Sequence, residues 1–86
     1  MGRRRYGDIS VVVTYQPDSY KQMDRVDALI ERMGKSCGGV YDGSDMGYEG
    51  RGHFFYFDSV RDAMTFAREA RQHGWDAMVR DVSGLR

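Results

Sequence analysis

Apolar positions along the chain follow two periods, and the changes of period divide it into elements. Ile9, Val11, Val13 and Tyr15 alternate with Ser10, Val12 and Thr14, the two-residue period of a strand. The unbroken Val11-Val12-Val13 marks a strand buried in the middle of a sheet. Gln16-Pro17 ends it, because proline has no amide to give to a ladder. After Ser19 the period lengthens: Met23, Val26, Leu29, Ile30 and Met33 form one helical stripe opposite Lys21, Arg25, Glu31 and Arg32. Ser19 and Gln22 have capping-box spacing at its start, and Gly34 is the expected left-handed stop. Val40 and Tyr41 predict a short edge strand within residues 38–42, and the acidic, glycine-rich stretch 42–50 reads as a mobile hairpin loop. Arg51-Gly52-His53-Phe54-Phe55-Tyr56-Phe57-Asp58 then puts rings on both sides of one strand, with His53, Phe55 and Phe57 on one face and Phe54 and Tyr56 on the other. Ser59 and Asp62 repeat the capping spacing ahead of Val60, Ala63, Met64, Phe66, Ala67 and Ala70, a helix ending at Gly74. Residues 75–82 supply the last strand.

The order strand, helix, strand, strand, helix, strand predicts two right-handed half-units and hence a ferredoxin-like α+β sandwich, two helices on one face of a four-stranded antiparallel sheet. Its first and third strands, the most apolar, are expected at the centre. Residues 1–7 read as a flexible basic arm, 8–82 as a single domain and 83–86 as a tail. The sheet face away from the helices is left bare in such a sandwich. That makes Val12, Phe54 and Tyr56 candidate partner-binding residues, and self-association through this face is one use for them.

Composition narrows the function classes. Thirteen Lys and Arg balance thirteen Asp and Glu, so no net field draws the chain to nucleic acid or to anionic lipid. A single cysteine, Cys37, gives no internal disulfide and fits a reducing, cytoplasmic setting. No apolar run or signal-peptide core is present for a membrane or export reading, and Tyr6 stands where a myristoylation signal at Gly2 needs Ser or Thr. Asp42, Asp45, Glu49 and His53 lack the ligand alternation of a calcium loop and the two-histidine spacing of a zinc helix. Gly47, Gly50 and Gly52 make no dinucleotide or phosphate loop, and Cys37 with His53 or His73 lacks a third orienting group. The expectation is therefore no catalytic residue, no metal and no cofactor.

Two stretches resemble known families. Arg51-Gly52, the aromatics Phe54 to Phe57, and Asp58-Ser59-Val60-Arg61-Asp62-Ala63 resemble the aromatic strand and following helix of an RNA recognition motif. That resemblance implies base stacking on Phe54, whereas the first strand offers no second ring on the matching face; by charge, a nucleic-acid ligand takes its phosphate contacts from Arg3, Arg4, Arg5 and Arg51. The segment from Asp24 through Gly34, leading to Val40-Tyr41-Asp42-Gly43, resembles the family of the regulator of ribonuclease E activity B, with Ser44 where that family often has tryptophan. This second resemblance implies a ferredoxin-like, non-enzymatic protein that binds another protein. The reading carried forward is a protein-binding regulator or inhibitor that occupies a surface of its target, with a nucleic-acid enzyme as one kind of target. A cellular regulator and a phage-type inhibitor such as an anti-CRISPR fit it equally. Val12, Phe54 and Tyr56 on the sheet and Asp42, Asp45 and Glu49 in the acidic stretch are the expected contacts, and an RNA-binding module is the alternative.

Overall fold

The computed structural model describes residues 7–81. Arg3, Arg4 and Arg5 of the predicted arm, and the predicted tail, lie outside the described residues. The elements are β1 (Ile9–Tyr15), α1 (Tyr20–Ser36), β2 (Val40–Gly47), β3 (Gly50–Phe57), α2 (Val60–Gln72) and β4 (Asp76–Asp81). They form one antiparallel sheet in the order β2-β3-β1-β4, with β1 and β3 central as their apolar character requires. This is the ferredoxin-like α+β sandwich. No helix among the described residues is long and apolar enough to cross a membrane.

Both helices start and stop by the same devices. The Ser19 hydroxyl accepts from the Gln22 amide and the Ser59 hydroxyl from the Asp62 amide, which satisfies one otherwise unpaired N–H in each first turn. Gln22 reaches back to the Asp18 amide at 2.8 Å, one residue earlier than a capping box requires. At the other end, Gly38 (φ +94°) donates to the Lys35 carbonyl and Gly39 to that of Gly34, while Gly74 (φ +88°) donates to Arg71 and Trp75 to Ala70. Each pair of bonds closes a Schellman turn around a left-handed glycine.

The expected stop at Gly34 is thus displaced: α1 runs on to Ser36, and Gly34 is a buried interior position. A Cβ there would lie 2.2 Å from the Phe55 ring, so the glycine lets the helix settle onto the sheet, at the expense of helix propensity. The core beneath is Val11 and Val13 of β1, Phe55 and Phe57 of β3, Ile30 of α1 and Phe66 of α2. Phe55 meets Phe66 edge-on with centroids 4.8 Å apart, a favoured aromatic geometry. Gly7, predicted as part of the arm, is buried against the Phe57 backbone, where no side chain fits.

The predicted loop over 42–50 is also corrected. β2 continues to Gly47 and pairs with β3 down to Gly47↔Gly50, leaving a turn of Tyr48 and Glu49. A bulge between Tyr41 and Gly43 absorbs the register shift, and Gly43 (φ +118°) and Gly50 (φ +105°) take the left-handed backbone that bulge and turn require. The glycines that read as flexibility are ladder positions.

Candidate functional site

The register sorts every strand residue onto one of two faces. On the helix face, five polar side chains gather at the edge of the core. Asp27 of α1 receives Arg51 through both Nε and Nη2 (3.1 and 2.9 Å to Oδ2), His53 Nε2 at 2.7 Å and the Tyr15 hydroxyl at 2.7 Å. Tyr41 closes the chain of contacts, its hydroxyl 3.1 Å from His53 Nδ1. A carboxylate can only accept, so a neutral His53 carries its proton on Nε2 and accepts a hydrogen bond from the Tyr41 hydroxyl at Nδ1.

Burial pushes the Asp27 carboxyl up, but hydrogen bonds from Arg51, Tyr15 and His53 outweigh this and hold it below the usual carboxylate range. Burial first, then the bond to Asp27, pushes the Tyr15 phenol above its ordinary range. The charged bond to Asp27 raises the Arg51 guanidinium in turn. No buried side-chain donor or acceptor among the described residues lacks a partner, the Tyr15 hydroxyl also reaching the Met23 carbonyl, and His53 is buried. The arrangement anchors α1 to β1 and β3. Cys37 lies apart from both histidine rings' contacts, its thiol pushed up by burial and by the carboxylates of Glu69 and Asp62, which disfavours the thiolate needed for nucleophilic chemistry.

The opposite face carries no helix. Its residues lie in three rows across the strands β2, β3, β1 and β4: Asp45, Gly52, Thr14 and Asp76; then Gly43, Phe54, Val12 and Met78; then Val40, Tyr56, Ser10 and Arg80. The middle row is apolar. The first row is acidic at both edges, and Glu49 of the turn stands beside it, bordering a groove of about 310 Å³ shared with Asp45, Thr14, Val12 and Phe54. The last row ends in one cation, Arg80. Met78 is 65% exposed and Tyr48, at the hairpin tip, fully so.

The residues singled out in the sequence therefore separate. Val12, Phe54, Asp45 and Glu49 come together at one groove, and Tyr56 lies one row further on the same face. Asp42 sits at the bulge, apart from them. Arg51, proposed with Phe54 as part of one nucleic-acid platform, is on the helix face in the grip of Asp27, so the two cannot serve one ligand. His53 is likewise separated by the sheet from Asp45. Asp76, Met78 and Tyr48 were missed. The alternation of β4 would have put Asp76, Met78 and Arg80 on one side, but which side needs the register with β1. Asp27 was missed as well: on a helical wheel it is an ordinary acid beside an apolar stripe, and only the tertiary fold brings three donors to it.

Searches against protein-family models, curated proteins and solved structures give no match to this chain.

Proposed function

We propose that the protein is a non-enzymatic binding module, a regulator or inhibitor that works by covering a surface of a partner protein with its open sheet face. The observation that carries this reading is the ordering of that face, an apolar row of Phe54, Val12 and Met78 bordered by Asp45, Glu49 and Asp76. A partner of matching chemistry presents an apolar spot flanked by Arg and Lys, the surface common on enzymes that handle nucleic acid. Tyr48, fully exposed on the two-residue turn, is placed to enter such a surface. The satisfied Asp27 cluster on the other face favours binding over catalysis. RNA is the poorer occupant, because carboxylates at both edges of the first row repel phosphate beside the Phe54 ring.

The two occupants respond oppositely to charge. Replacing Asp45, Glu49 and Asp76 together with Asn, Gln and Asn is expected to weaken capture of a protein partner, most of all at low salt. Wild-type protein at micromolar concentration is expected to leave the mobility of single-stranded RNA and duplex DNA unchanged. A salt-sensitive shift that disappears when Arg3, Arg4 and Arg5 become alanine reverses this reading in favour of nucleic acid.

A further inference from the structure

We infer that the open face also pairs with a second copy of this chain, through a two-fold axis that runs across the strands along the Gly43-Phe54-Val12-Met78 row. This rests on reading the open face as the association surface, but not on the identity of any other partner. Arg80 and Asp76 lie two residues either side of Met78 on β4, both exposed, and neither forms an ion pair with another described residue. A two-fold across the strands keeps β4 over β4 and reverses its direction. Met78 then meets the second copy's Met78, and Arg80 of each copy stands over Asp76 of the other, so two ion pairs form at symmetric positions.

The same operation stacks Phe54 on Phe54 and Val12 on Val12, with Gly43 of the same row and Gly52 of the neighbouring one offering little obstruction. The other in-plane two-fold, along the strands, brings Asp45 over the second copy's Asp76 and is opposed by charge. Packed sheets rotate by about 30°, and the long arginine side chain spans the resulting offset at the sheet edge. Four strands about 4.8 Å apart and some six residues long cover roughly 400 Å², small beside the ~800 Å² per partner of a standard interface. The dimer is therefore weak, and it hides the face that a target needs. Self-association and target binding compete.

Charge exchange at β4 tests the operator itself. Sedimentation of the full chain from micromolar to near-millimolar concentration, at low salt, is expected to show a monomer–dimer equilibrium. Arg80→Asp and Asp76→Arg are each expected to weaken it by about tenfold or more, since each homodimer then sets like charges together twice. Mixed in equal amounts, the two variants are expected to recover a dimer containing one of each, because both exchanged contacts again join opposite charges. A wild-type chain that stays monomeric, or a mixture that associates no better than either variant alone, overturns the second-copy proposal. Either result leaves the target reading standing, since that reading is decided separately by capture of a target protein.

Discussion

Asp27 holds three donors that reach it from β1 and β3, and this fixes how the fold answers to acid. Asp27→Asn keeps the shape but leaves the Arg51 guanidinium without its counterion, and breaking a part-buried pair of this kind is expected to lower stability by about 3 kcal/mol. The folded carboxyl lies below its unfolded value of 3.8, so its contribution is present above that pH and is lost as pH falls through the folded value. Urea midpoints of wild type and Asp27→Asn should therefore converge in acid. Curves that stay parallel down to low pH would mean that the carboxylate is not the stabilising form. Tyr15 works in the opposite direction: its phenol is raised, so its contribution is present below the unfolded value of 10.0 and is lost as pH rises beyond it. Little of this was legible in the sequence, where Asp27 stands 24 and 26 residues from Arg51 and His53 and only the strand alternation hinted that His53 faces inward.

At the scale of elements, Gly34 decides how closely α1 lies on the sheet. Alanine is the better helix former by about 1 kcal/mol, yet its methyl has to enter the Phe55 ring, and forced overpacking typically costs about 1–3 kcal/mol. Gly34→Ala is thus expected to destabilise on balance by up to roughly 2 kcal/mol, read as a lower urea midpoint with an unchanged m-value. A variant more stable than wild type would show that the helix can back away from Phe55 at no penalty. Strand and helix order, both serine caps and the central place of β1 and β3 were all readable, because each rests on periodicity or on short-range hydrogen bonding. Gly34 and the 42–50 stretch were misread for a common reason. A glycine that makes room for a ring, or that takes a bulge, has the same letter as one that ends a helix or loosens a loop, and only the partner across the gap distinguishes them.

For the molecule as a whole, helices cover one side of the sheet and leave the other without a helix. Exposed apolar side chains also occur on the helical side, with Met64 44% and Val60 56% exposed on α2, so exposure alone does not single out the sheet. What distinguishes the open face is organisation: an apolar row with acid along one side, a groove beneath the hairpin and a ring at its tip. The direct comparison is therefore between one glutamate on each side of the molecule. Met78→Glu and Met64→Glu both alter exposed methionines and are expected to keep the native circular dichroism spectrum. With the chain immobilised and a lysate of its source organism passed over it, proteins retained by wild type should be lost from Met78→Glu and kept by Met64→Glu. If Met78→Glu retains them undiminished, or Met64→Glu is the variant that loses them, the open sheet face is not the working surface of this protein.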